Sequence, residues 1–146
     1  MGKRFPEYKS LDLAQVNRDI LKVWDENDTF RRSVRSTNGK GEYIFYEGPP
    51  SANGMPGIHH VMSRTIKDAI CRYRTQCGYE VKRKAGWDTH GLPVELGVEK
   101  ALGITKEDIG TKISIDDYNK ACKIDVMKFT GAWEELTRKM GYWVNM

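Results

Sequence analysis

The fold of this chain follows from residues 43–61, which read Tyr43-Ile-Phe-Tyr-Glu-Gly-Pro-Pro-Ser-Ala-Asn-Gly-Met-Pro-Gly-Ile-His-His-Val61. The four apolar and aromatic residues at its start predict a short buried strand. Beyond Val61 the apolar residues recur at helical spacing, and they predict a helix whose apolar face contains Met62, Ile66, Ala69, Ile70 and Tyr73. The free N–H groups and the positive dipole end of that helix point at the intervening loop. The pattern therefore predicts an anion-binding site suited to a nucleotide phosphate.

All three histidines of the chain lie in two short loops. His59 and His60 are in the first loop, residues 47–60. His90 is in the second loop, residues 86–95, which reads Gly-Trp-Asp-Thr-His-Gly-Leu-Pro-Val-Glu. Chance placement rarely clusters histidines in this way, although two ordinary surface turns are the alternative. Together the two loops favour a functional site.

A second strand is predicted at residues 79–84, after a helix that ends at Gly78, where glycine favours a left-handed cap. Strand, helix and strand in this order predict a right-handed βαβ unit with parallel strands. Ligands of open α/β sheets bind at the carboxyl edge of the strands. We therefore expect one crevice to be surrounded by His59, His60, Asp88 and His90.

Helical segments flank this unit. Ser10 is the predicted N-cap of a helix over residues 11–28, and a basic, glycine-containing linker follows over residues 29–42. A short helix over residues 94–102 is closed by Gly103, and Thr105 with Asp108 begins another turn. Residues 115–140 predict a long amphipathic helix, whose aromatic residues, Trp133 among them, indicate core packing rather than ligand contacts.

Composition limits the function classes. With 146 residues, 39% hydrophobic and 30% charged, the sequence is typical of one soluble globular domain. It has no apolar run long enough to cross a membrane and no apolar signal-peptide core, so we expect a cytoplasmic protein. Cys71, Cys77 and Cys122 lack metal-site spacing and are expected to be buried free thiols. The net charge of +4 permits contact with phosphates without indicating it.

The sequence ends on Met140-Gly-Tyr-Trp-Val-Asn-Met146, which is apolar and aromatic. Natural termini are more often polar and loose. We therefore expect a longer protein of which this chain is one part, with a docked C-terminal strand as the alternative.

Two motifs resemble the N-terminal catalytic half of the class I aminoacyl-tRNA synthetases. They are Gly48-Pro-Pro-Ser-Ala-Asn-Gly54 and the second loop, whose Gly-Trp-Asp-x-His-Gly-Leu-Pro run resembles the isoleucyl-tRNA synthetases in particular. The leucine enzymes have a related run without the histidine, and the valine and methionine enzymes have Gly-Thr-Asp. The resemblance implies an α/β chain, the first half of a Rossmann-like (HUP-type) parallel nucleotide-binding fold. Residues 1–40 would be an N-terminal helix and basic linker, and residues 41–146 the first half of the catalytic domain, truncated at its C-terminus.

One position departs from the family pattern. The class signature reads His-x-Gly-His, whereas this chain has Gly57-Ile-His-His60. The first and third residues are exchanged, and His60 stays in place. Either the loop takes another backbone path, with Gly57 providing the flexibility, or nucleotide binding is altered. Because the composition is kept and only the order changes, a working variant is favoured over an inactive site.

The resemblance also implies the reaction and the residues that perform it. The reaction is ATP-dependent activation of isoleucine followed by transfer to tRNA-Ile, with Mg²⁺ on the phosphates and no metal site in the protein. By resemblance, His60 and His59 would stabilise phosphate charge, and Asp88 would bind the α-ammonium group of isoleucine. The remaining implied site residues are Asn53, Gly54 and Gly57 at the nucleotide, and Pro49, Trp87 and His90 at the amino acid.

Several parts of such an enzyme are missing from this sequence. It has no Lys-Met-Ser-Lys-Ser signature, editing site or anticodon-binding region. The chain alone is therefore expected to have little or no activity, and tRNA-Ile would bind through the full-length protein. Two alternatives stay open: another class I synthetase-like adenylating enzyme, and a non-catalytic nucleotide- or tRNA-binding module.

Overall fold

The computed structural model of the protein describes residues 9–36 and 39–146. Residues 1–8, where the sequence predicts no signal peptide, and residues 37–38 of the predicted linker lie outside these ranges. The described residues form helices α1 to α6 and a 3₁₀ turn, over Leu13–Glu26, Thr29–Arg35, Ile58–Gln76, Leu92–Leu102, Ile115–Asp125 and Thr130–Lys139, with the turn at Lys106–Asp108. No helix within these ranges is both long and apolar enough to cross a bilayer.

The first helix begins later than the sequence predicts. Asp12, and not Ser10, is the N-cap of α1, and its side chain accepts the Gln15 N–H at 2.9 Å. A carboxylate at this position satisfies a free N–H and complements the helix dipole. The predicted linker begins with a second short helix, α2, which the chain enters through Asp28 at a φ of 48°. A sharp corner therefore separates α1 from α2.

Helix α3 follows the first loop and ends as predicted, with Gly78 at a φ of 94°. Its predicted apolar face stays exposed, from Met62 to Tyr73. The opposite face packs against the chain, with Cys71 buried and Asp68 paired to Arg72 and Arg83. The helix is thus fixed through a polar face, and its apolar stripe has no partner among the described residues.

The predicted strands are present only as extended segments. Isolated parallel bridges join Glu42 to Glu80, Ser51 to Asp88 and Lys84 to Asn145, and no continuous ladder forms in the described residues. Residues 43–46 are not a buried strand, since the Tyr46 side chain is 88% exposed. Consecutive prolines at 49 and 50 also lack the N–H groups that a ladder needs. The bridges have the parallel direction that the βαβ pattern predicts, and a parallel sheet is not confirmed in the described residues.

The predicted long helix over residues 115–140 is two helices, α5 and α6. The Phe129 N–H donates to the Ala52 carbonyl of the first loop at 2.9 Å. Since this N–H bonds outside the helix, the helical pattern is interrupted, and α6 begins anew at Thr130. The break places Trp133, which is buried, beneath the first loop. The structure therefore couples the C-terminal helix to the predicted nucleotide loop.

Candidate functional site

The first loop is fixed at its start by Glu47. The Tyr142 hydroxyl donates to Glu47 Oε2 at 2.7 Å, and Lys67 on α3 pairs with Glu47 Oε1. Burial is the main cause of a raised pKa of Tyr142, so its hydroxyl stays protonated and available as a donor. Further along, Ala52 is fully buried. The loop is therefore anchored to α3 and to the C-terminal segment before it reaches the histidines.

The two loops lie side by side, as the sequence predicts. Ser51 and Asp88 form a parallel bridge, in which the Asp88 N–H donates to the Pro50 carbonyl at 3.0 Å. The Asn53 amide donates to the Pro93 carbonyl at 3.5 Å, and its oxygen accepts the Ser51 hydroxyl at 2.9 Å. Backbone and side-chain bonds thus hold the two loops against each other.

His60 lies in the first turn of α3 and also closes that turn. The Gly57 N–H donates to His60 Nδ1 at 2.9 Å, so the neutral imidazole has its proton on Nε2. Burial lowers the pKa of His60, and the nearby charges of His59 and Arg64 lower it further. The structure therefore favours a neutral imidazole whose Nε2–H is a hydrogen-bond donor.

The exchanged positions Gly57 and His59 are in direct contact. A Cβ added to Gly57 would lie 2.9 Å from His59 Cε1, which is too close. Gly57 has a φ of −111°, an ordinary extended value, so its flexibility is not what the loop uses. The exposed His59 ring lies 3.8 Å from the His60 ring, centroid to centroid. The glycine at 57 therefore provides the space that the histidine at 59 occupies.

The residues that were predicted to bind the amino-acid substrate divide into two groups. Asp88 accepts the His90 N–H at 3.4 Å, and its half-exposed carboxylate lies at the junction of the loops. Trp87 is half-buried, with its ring centroid 6.3 Å from that of Trp133. His90 has a 91% exposed side chain, 3.7 Å from the Asp88 carboxylate, and Pro49 is also exposed. Asp88 and Trp87 therefore line the junction, whereas His90 and Pro49 lie on its rim.

Two residues at the site were not predicted from sequence. Trp133, interpreted as core, contacts both loops, and its centroid lies 4.6 Å from that of His60. Arg64 lies over the Trp133 ring at 4.8 Å and donates to Thr137 Oγ1 at 2.6 Å. Arg64 lies one turn after His60 on α3, so the helical spacing alone could have placed it near the site. No signal in the sequence connects Trp133 to a loop 79 residues away.

Comparison with known proteins identifies the family. A family model described as tRNA synthetases class I (I, L, M and V) matches residues 19–146, so the chain belongs to the class I tRNA synthetases. A protein named isoleucine–tRNA ligase from Bacteroides thetaiotaomicron is 70% identical over 146 residues. Proteins of the same name from Porphyromonas gingivalis and Thermobifida fusca are 66% and 49% identical over 146 and 137 residues.

These alignments cover 100%, 100% and 93% of this chain, but the chain spans only 13% of the length of each relative. They confirm the resemblance seen in the two loop motifs. The Rossmann-like catalytic domain of the class fits the parallel bridges that the structure shows. The chain is thus similar to one segment of much longer proteins.

Proposed function

We propose that this chain is a segment of an isoleucine–tRNA ligase, which activates isoleucine with ATP and transfers it to tRNA-Ile. One observation supports this most directly: the Ser51–Asp88 bridge joins the two motif loops, in a chain 70% identical to a protein of that name. In the proposed full-length protein, the bridged segments become strands of a parallel Rossmann-like sheet. The exposed apolar face of α3 would then pack against further parts of the domain.

The first loop would bind ATP. His60 offers its Nε2–H to a phosphate oxygen, while the Gly57 N–H keeps its other nitrogen occupied. His59 lies beside it and would add a second donor at the edge of the site. An added Cβ on Gly54 would meet no atom within 4 Å, so its backbone is open to a nucleotide. Asn53 would fix the shape of this loop through its bond to Pro93.

The second loop would bind isoleucine. The Asp88 carboxylate would pair with the α-ammonium group, since a charge-assisted hydrogen bond orients a cation well. The Pro49 carbonyl would be a second acceptor, while Trp87 and His90 would contact the rest of the substrate. Because Asp88 is bridged to the first loop, the amino acid would lie next to the nucleotide.

The reaction needs no nucleophile from the protein. The carboxylate of isoleucine attacks the α-phosphorus of ATP, pyrophosphate leaves, and the acyl group then passes to tRNA. Residues of this chain would position the substrates and stabilise the charge that grows on the phosphates. Mg²⁺ would enter with ATP. Phosphate oxygens and water would be its main ligands, as is usual for that ion.

The test is isoleucine-dependent exchange of pyrophosphate into ATP by a full-length graft. In this graft, the chain replaces the matching segment of the Bacteroides thetaiotaomicron ligase, to which it is 70% identical. We expect exchange with isoleucine, weaker exchange with valine because one methylene is worth roughly 1–3 kcal/mol, and little with leucine. The chain alone should show little or none. An inactive graft beside an active parent ligase would refute the proposal for this chain.

The exchanged signature predicts a coupling between residues 57 and 59. Gly57→Ala should raise the KM for ATP about threefold, because the added Cβ forces the exposed His59 ring to rotate away from its place beside His60. In a His59→Ala background the same change should have little effect, since the clash is removed. A double-mutant cycle of KM values in the graft measures this. Gly131→Ala is the control, because an added Cβ there meets open space. Additive effects would show that the contact is unimportant.

A further inference from the structure

Trp133 is the residue that joins α6 to both loops. It is 2% exposed, and its indole Nε1–H donates to the Gly54 carbonyl at 2.9 Å. The ring meets His60 nearly edge-on, with an interplanar angle of 69°, and Trp87 at 77°. A buried tryptophan usually finds an acceptor for its indole N–H, so the identity of the neighbours, and not the bond itself, distinguishes Trp133 from a core residue. This one contacts a backbone acceptor and an imidazole in the first loop, and an indole in the second.

The bond to Gly54 restrains an open part of the first loop. Glycine has wide backbone freedom, and Gly54 has no atom within 4 Å of the place where a Cβ would lie. The adjacent Met55 is largely exposed. The indole N–H is therefore a main restraint on this turn, together with the Phe129 N–H that donates to the Ala52 carbonyl. Both donors come from the start of α6.

The contact with His60 restrains the imidazole from a second side. Its Nδ1 is already bonded to the Gly57 N–H, and the Trp133 ring packs edge-on against the imidazole at a centroid distance of 4.6 Å. The direction of Nε2–H is then set by two independent contacts. The indole is itself held in place, because the Arg64 guanidinium lies over it and is fixed to Thr137.

We propose that Trp133 is a positioning residue, which aligns Gly54 and His60 for ATP and maintains their spacing from Trp87 in the amino-acid loop. The inference rests on the proposed function and deepens it, since it assigns a role in nucleotide alignment to a residue outside both loops. It predicts that loss of the indole N–H and loss of the indole ring affect the kinetic constants for ATP and isoleucine differently. The N–H acts on the nucleotide alone, whereas the ring acts on both substrates.

Two substitutions in the full-length graft separate these effects. Trp133→Phe keeps a ring beside His60 and Trp87 but removes the N–H, so the KM for ATP should rise about fivefold while the KM for isoleucine stays within about twofold. Trp133→Leu removes the ring as well, and kcat/KM should fall about 100-fold for both substrates, because misplaced reacting groups lose orientation. Trp24→Phe is the matched control. Trp24 packs edge-on against Trp143 in the C-terminal segment, and its replacement should leave both KM values and kcat/KM unchanged.

A readout independent of activity distinguishes this inference from the proposed function. The pKa of His60 is lowered chiefly by burial, so Trp133→Leu should raise it towards its ordinary value of 6.5. The pH dependence of His60 carbethoxylation, located by tandem mass spectrometry, measures it. An unchanged His60 titration, or a Trp133→Phe protein with the KM for ATP of the unmodified graft, would overturn the positioning role. An inactive unmodified graft would refute the proposed function, while the titration would still decide this inference.

Discussion

Replacement of His60 by alanine is expected to slow isoleucine-dependent pyrophosphate exchange about 100- to 1,000-fold in the full-length graft. Loss of one preorganised donor to a developing oxyanion costs about this much in other enzymes. In this chain the substitution also releases the Gly57 N–H, which His60 Nδ1 accepts at 2.9 Å. The predicted loss therefore has two sources: the Nε2–H donor at the phosphate and the restraint on the loop. Steady-state exchange rates at saturating isoleucine and ATP measure the combined effect.

Two polar substitutions separate the sources. Asparagine at position 60 can accept the Gly57 N–H, as Nδ1 does, but does not reach the phosphate. Glutamine places an amide N–H near the position of Nε2 but does not reproduce the acceptor. We expect His60→Gln, which restores the donor, to be about tenfold faster than His60→Ala, and His60→Asn, which restores only the loop restraint, to recover a smaller part of the rate. If asparagine restores the rate and glutamine does not, then His60 acts by holding the loop. A loss below fivefold in His60→Ala would remove it from the catalytic machinery.

Local features of the fold could be predicted because each depends on a few neighbouring residues. Gly78 and Gly103 both adopt positive φ at the predicted helix ends. Thr105 and Asp108 form the predicted turn, in which the Thr105 N–H donates to the Asp108 carboxylate at 2.9 Å. The meeting of the two loops was also predictable, because a βαβ order places successive strand ends at one edge. Such signals lie within a few residues or follow from chain topology.

The remaining features depend on contacts between distant residues. The break between α5 and α6 comes from the Phe129 N–H, which donates to the Ala52 carbonyl. This bond does not change the helical spacing of the apolar residues in the sequence. Trp133 occupies a core position in the pattern, and only the tertiary structure shows its bond to Gly54. Gly57 is similar: its residue type suggested flexibility, whereas the structure shows a steric contact with His59. The sequence indicates which residues matter locally, but not which distant residues hold them in place.

Replacement of Asp68 by alanine is expected to destabilise the packing of α3 by about 3–5 kcal/mol, the usual cost of removing one partner from a buried ion pair. Asp68 accepts Arg72 Nε at 2.7 Å and Arg83 Nη1 at 3.1 Å. The Arg83 side chain is only 1% exposed, so its charge would remain buried without a carboxylate. Arg83 also donates to the Thr75 hydroxyl at 3.0 Å and to the Trp143 carbonyl at 3.3 Å. The Asp68–Arg83 pair therefore links α3 to the C-terminal segment.

Hydrogen exchange of peptides covering residues 81–85 and 142–145 measures this effect in the graft. These segments pair through the Asn145 N–H, which donates to the Arg83 carbonyl at 2.8 Å, and the Ala85 N–H, which donates to the Asn145 carbonyl at 2.7 Å. Their protection should fall by about two to four powers of ten, since tenfold corresponds to about 1.4 kcal/mol. Asp116→Ala is the control. Its carboxylate is 76% exposed and pairs with Lys120, so we expect less than about 1 kcal/mol.

A double substitution tests whether the buried charge, rather than the lost contact, is the cause. Asp68→Leu combined with Arg83→Met removes both charges and keeps apolar volume, and such replacements are often neutral in other proteins. We therefore expect the double variant to recover most of the protection that Asp68→Ala loses. Equal losses in the single and double variants would show that the hydrogen bonds to Arg72 and Trp143 dominate. In that case, the role of Asp68 would be to join α3 to the C-terminal segment by hydrogen bonds and not to neutralise Arg83.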